Sequence, residues 1–113
     1  MTEQDFEKLL LEAIDEALAT LGESAKQSIY FHIQKEFKVP RNQIPSRMES
    51  FKAGLEKIFG IGAQYLELMI MRKLYEKTGK PLKWSQKQEF AFVEYINAAK
   101  KTFVRNKVEV ART

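Results

Sequence analysis

The sequence predicts an all-α fold, a single-domain bundle of about five helices with the fourth, over about residues 61–77, at its centre. Three observations predict it. Apolar residues recur at helical spacing through five separate stretches. Glycine and proline fall between those stretches, at Gly22, Pro40, Pro45, Gly60, Gly79 and Pro81, where helices stop. No run alternates apolar and polar residues with the period of two that a half-buried strand requires.

The first helix is expected over about 3–20. Thr2 stands at its cap with Asp5 three residues on, and Phe6, Leu9, Leu10, Ala13, Ile14, Ala17, Leu18 and Leu21 make one apolar stripe. Glu3, Asp5 and Glu7 complement the positive end of the helix dipole, and Gly22 ends the helix. Ser24 and Gln27 have the spacing of a capping box for the second helix. Its face is Ala25, Ile29, Ile33 and Phe37, widened by Tyr30 and Phe31, and Val39-Pro40 stops it. Residues 39–46 form a connector in which Ile44 is expected to plug into the core. Ser46, with Glu49, is the expected cap of the third helix, whose face is Met48, Phe51, Leu55, Ile58 and Phe59. Gly54 in mid-helix costs ~1 kcal/mol against alanine, which marks a place where another helix comes close.

Gly60 is the expected left-handed terminator of the third helix, and Gly60, Gly62 and Ala63 make a structural corner. In the fourth helix ten of the fifteen residues 61–75 are apolar, so more than one side must be covered. Ala63, Leu66, Ile70 and Leu74 form one stripe, and Leu68, Met71 and Tyr75 a second. Either stripe two meets other helices or it is a protein interface, with a homodimer as one such partner. Leu82 and Trp84 precede Ser85, the expected cap of the fifth helix. That helix should reach about Arg105, with Phe92, Ile96, Ala99 and Phe103 inward and residues after Asn106 frayed.

Composition removes several function classes. At 113 residues the chain suffices for one core. It has no cysteine, which excludes disulfides, thiolate metal sites and cysteine nucleophiles. Its acidic start does not match a secretory leader, and no apolar run approaches the ~20 residues of a membrane span. The expectation is a cytoplasmic protein that does not contact the membrane. Charge is uneven. Residues 1–79 hold 11 basic and 12 acidic side chains, whereas residues 80–113 hold 8 and 3, so either an acidic front pairs with a basic tail or each presents a charged face to a partner.

No catalytic constellation or cofactor motif is present, and the chain is read as a non-enzyme that needs no cofactor. Gly60-Ile61-Gly62 lacks the third glycine, preceding strand and lysine of a phosphate loop. His32 and Glu36 lie one helical turn apart, but one histidine and one carboxylate do not close a metal site. Glu67, flanked by apolar residues, is expected at a solvated edge or paired with Arg72 or Lys73. Basic side chains along the fifth helix, Lys87, Lys101 and Arg105 among them, suit nucleic-acid phosphates.

The residues Phe31-His32, Phe37, Ile44-Pro45, Phe51, Leu55, then Ile58-Phe59-Gly60-Ile61-Gly62-Ala63, Leu66 and Ile70 resemble a family of small archaeal helical domains, output domains of the Nitrosopumilus type. The likeness spans roughly residues 10–75. It implies a cytoplasmic signalling or regulatory role exercised through protein contacts, and it carries no catalytic residues. The functional expectation is therefore a regulatory protein-interaction module, with a nucleic-acid-binding regulator as the alternative and an enzyme third.

Overall fold

The computed structural model describes residues 2–78 and 92–112, with side chains except at 95, 102 and 105–112. Their elements are α1 (Glu3–Ala19), α2 (Glu23–Phe37), a 3₁₀ turn (Arg41–Ser46), α3 (Met48–Phe59), a short 3₁₀ turn (Gly60–Gly62), α4 (Ala63–Thr78) and α5 (Phe92–Arg112). The chain is an all-α bundle, and no strand occurs among the described residues. The expected ends of α4 and α5 at Gly79, Leu82, Trp84 and Ser85 lie outside the described residues.

α1 forms because its apolar stripe and its cap agree. The Thr2 N–H donates to Asp5 Oδ2 at 2.7 Å, which supplies one free donor of the first turn with an acceptor. Phe6, Leu10, Ala13, Ile14, Ala17 and Leu18 are buried, each large one contributing roughly 1.5–3 kcal/mol. The stripe stops there: Leu21 is past the helix end and exposed. Gly22 turns the chain with φ 104° and ψ 150°, a conformation essentially restricted to glycine, and itself precedes the first turn of α2. Ser24 is therefore inside α2 and does not cap it. The expected partner Gln27 instead donates to Glu23 Oε1 at 3.2 Å.

α2 buries Ile29 and Ile33, keeps Tyr30 and Phe37 half-buried, and leaves Phe31 exposed. It ends on Lys38, whose N–H donates to the Gln34 carbonyl at 3.0 Å while its backbone sits at φ 59°, ψ 33°. A left-handed residue closes many helices, but glycine is the one that does so without a Cβ penalty. Lys38→Gly is therefore expected to stabilise the fold by about 0.5 kcal/mol, the relieved strain exceeding the extra freedom of the unfolded chain. A higher urea midpoint would show it.

Ile44 is fully buried, as the plug reading requires. Ser46 does not cap α3. Its hydroxyl donates to the Gln43 carbonyl at 2.9 Å inside the 3₁₀ turn, and α3 starts after Arg47. Met48, Phe51 and Leu55 face the core, Phe59 is half-buried and Ile58 is exposed. Gly54 is buried, and a Cβ built there would lie 3.0 Å from Ile33 Cγ1 and 3.5 Å from the Phe37 ring. α2 and α3 thus cross closely, as a mid-helix glycine signals.

α4 packs against α1, α3 and α5, with α1 its most extensive neighbour. α5 buries Phe92, Ile96, Ala99 and Phe103, and Phe103 meets the Phe6 ring of α1 at 5.7 Å between centroids. Lys100 reaches Glu3 at 3.6 Å, so the acidic front and the basic tail do meet. The helix continues to Arg112, past the expected end near Arg105, since residues 106–112 contain no glycine or proline to stop it.

Candidate functional site

The buried side chains of α4 are Ala63, Leu66, Glu67, Ile70, Met71 and Leu74. At 100° per residue they span one arc about 140° wide, and no second opposed stripe is buried. Met71 falls inside that arc and is 2% exposed, so it offers no surface to a partner and leaves the expected interface set. Leu68, about 60° beyond the Met71 edge of the arc, is half-buried against the core, and Tyr75, nearer that edge, is exposed. Outside the arc Gln64, Tyr65, Arg72, Tyr75 and Glu76 stand in water. Tyr65 and Arg72 were not singled out by hydropathy, because a polar-tipped ring and a cation both read as an ordinary solvated face.

The corner ahead of α4 extends this surface. Gly60 has φ 58° and ψ −129°. The positive φ agrees with a helix terminator, but the ψ takes it out of the left-handed helical well into a region that only glycine enters. Gly62 has no positive φ, and a Cβ on it would meet Phe59 Cβ at an ordinary 3.7 Å. The pair is unequal: Gly60 makes the turn, and buried Ala63 anchors the start of α4. Ile61, between the glycines, is 90% exposed, with Ile58 before it and Tyr65 after it also exposed.

Glu67 is neither at an edge nor paired with Arg72 or Lys73. It is 1% exposed, and its Oε1 has no hydrogen-bond partner. Lys73 lies instead 4.0 Å from Glu76. Burial raises the Glu67 carboxyl above its ordinary value; the Lys52 ammonium on α3 draws it down, and Glu56 pushes it up. Lys52 is itself held by Glu56 in an ion pair one turn along α3.

A polar clasp that sequence spacing does not reveal joins α1, α2 and the 3₁₀ turn after it. Tyr30 donates its hydroxyl to Asp15 Oδ1 at 2.6 Å, and Arg41 donates from Nε to the same oxygen at 3.1 Å and from its second nitrogen to Oδ2. Burial pushes Asp15 up, but these donors outweigh it and hold the carboxyl below its ordinary value. Burial and the Asp15 acceptor push the Tyr30 phenol far up, so it stays a donor. The clasp is fully occupied and is structural.

Of the basic α5 candidates, Lys101 is exposed; Lys87 lies outside the described residues, as does the side chain of Arg105. His32 is exposed with its ring edge-on to Phe31, and Glu36 takes an ion pair from Lys57 at 3.0 Å. Among the described residues no three metal-ligating side chains converge, and no helix is long and apolar enough to cross a membrane. Compared with protein-family models, with curated proteins and with solved structures, the chain matches none.

Proposed function

We propose that the chain is a regulatory protein-interaction module without chemistry of its own, working in the cytoplasm as the archaeal output domains it resembles are expected to, and that it meets its partner through the outer arc of α4. The observation that supports this reading is the composition of that arc. Tyr65, Arg72 and Tyr75 are exposed in line along one helix, with half-buried Leu68 among them and Ile61 at its head. Tyrosine and arginine supply a disproportionate share of interface energy, because each combines a large apolar area with a directed polar tip. An isoleucine left nine-tenths in water gains nothing in the isolated chain and is stabilised only when something covers it. The partner is another protein or a second copy of this one.

The test pairs two readouts on Tyr65→Glu combined with Arg72→Glu, both exposed positions where the fold has little at stake. Light scattering reports self-association, and affinity capture from the native host reports other partners. At least one partner, self included, should bind the parent chain and lose about tenfold or more in affinity with the variant, at unchanged helicity. Identical partners and identical association for the two proteins would remove α4 from the interface.

A further inference from the structure

We infer that a second site, at the C-terminal end of α2, binds an acidic peptide segment of a partner protein, one with carboxylates flanking an aromatic or large aliphatic side chain. The site is a groove of about 480 Å³ lined by Phe31, Gln34, Lys35, Lys38 and Pro40. That volume lies in the range of ligand-sized clefts. It is independent of the α4 surface, since α2 packs on α1 and α3 and α4 covers other faces.

Three features converge there. Phe31 is 62% exposed, its ring T-shaped to His32 at 6.0 Å between centroids and with the Lys35 ammonium over it at 5.8 Å. Lys35 and Lys38 are exposed, and neither has a carboxylate within ion-pair distance among the described residues; the adjacent Glu36 is taken by Lys57. Lys38 occupies a left-handed backbone position where glycine would relieve strain, yet a charge stands at the rim of the groove. Two uncompensated ammonium groups call for carboxylates, the Phe31 and Pro40 rings for an apolar side chain, and the Gln34 amide can both donate to and accept from a peptide backbone.

A peptide fits better than a nucleic acid. A phosphate backbone is tracked by an extended row of free cations. Here three neighbouring basic groups are already engaged by carboxylates, Arg41 by Asp15, Lys57 by Glu36 and Lys26 by Glu23 at 3.0 Å, and Arg47 donates to the Lys38 carbonyl at 3.3 Å, so the cations cluster at one helix end and do not form a row. Two lysines without a carboxylate partner among the described residues, beside one exposed ring, match a short acidic motif.

The experiment titrates the ¹⁵N-labelled full chain, at low ionic strength, with the end-blocked peptide Asp-Glu-Phe-Glu-Asp. Backbone shifts should move in residues 31–40. The neutral peptide Asn-Gln-Phe-Gln-Asn should bind about tenfold more weakly, and so should the Lys35→Gln and Lys38→Gly variants with the acidic peptide. Phe31→Ala should weaken both peptides. Lys38→Gly is the informative variant, because it is expected to melt no lower than the parent while losing affinity, which separates binding from folding. The inference is overturned by an absence of shifts in residues 31–40, by equal binding of the two peptides, by undiminished binding in Lys38→Gly, or by an oligothymidylate that moves the same residues more strongly than the acidic peptide. None of these outcomes bears on the α4 surface.

Discussion

Gly54→Leu should destabilise the protein by about 3 kcal/mol, enough to remove much of the stability of a chain this size. The reason lies in the α2–α3 crossing. A single carbon at position 54 already comes within 3.0 Å of Ile33 Cγ1 and 3.5 Å of the Phe37 ring. Leucine would add three more carbons in that direction, and the two helices would have to separate. Separation would uncover Ile33, which is fully buried. Gly54→Ala is the control. Its better helix propensity, worth about 1 kcal/mol, opposes a contact that Ile33 relieves by moving a few tenths of an ångström, so the net change should be small. Combining Gly54→Ala with Ile33→Ala, which removes Cγ1 itself, should then be more stable than the sum of the single changes implies. Urea denaturation followed by circular dichroism measures all of these. A leucine variant with the parent's midpoint would mean that the helices do not cross this closely.

Glu67→Met should do the opposite and stabilise the fold at neutral pH by about 2 kcal/mol. A buried carboxyl with an unpartnered oxygen pays either to be charged or to stay protonated, and a thioether of similar length does neither. The pH dependence gives an independent check. The folded carboxyl titrates above its ordinary value of 4.5, so over the interval above 4.5 the native state retains a proton that the unfolded chain has released. Stability therefore falls as pH rises from that value through the folded one, and this slope should vanish in the variant. Asp15 acts with the other sign. Held below its ordinary 3.8, it contributes stability that is complete above 3.8 and is lost as pH falls through its folded value. The contribution of these two groups taken together should peak in the acidic range between the two effects, and Glu67→Met should remove its decline towards neutrality. A variant less stable than the parent at neutral pH would show that Glu67 is satisfied by a group the unpaired oxygen does not suggest.

The parts of the fold legible in the sequence are those decided by periodicity alone. The stripes of α1 and α5 bury the residues that their spacing selects, from Phe6 to Leu18 and from Phe92 to Phe103. Gly54 and Ile44 were also legible, because a glycine inside a helix and an isoleucine between two prolines each have one economical explanation. The caps at Ser24 and Ser46 were misplaced because turn geometry, set by Gly22 and by the 3₁₀ turn, outranks a local side-chain preference. In α4 the error was one of arc width. Met71 belongs to the buried side because α1, α3 and α5 together cover more of the helix than a single neighbour would. Glu67 was invisible for a related reason: a charged side chain in an apolar run is assumed to point outward, and only coordinates show which way the helix is turned. The Asp15–Tyr30–Arg41 clasp draws on residues scattered along the chain, where no spacing rule brings them together, whereas Phe31, Gln34, Lys35 and Lys38 of the α2 groove do share one helical face, which reads in the sequence as an ordinary solvated one.

The contact of Phe6 with Phe103 has a consequence for how the molecule is made. α1 is translated before α5, so although α2 and α4 can already pack on it, the part of its apolar side that Phe103 covers stays open until the α5 segment has followed. An arrest or a stop codon ahead of residue 92 should therefore leave a nascent chain that associates with chaperones or with its neighbours, even though every helix up to that point is already encoded.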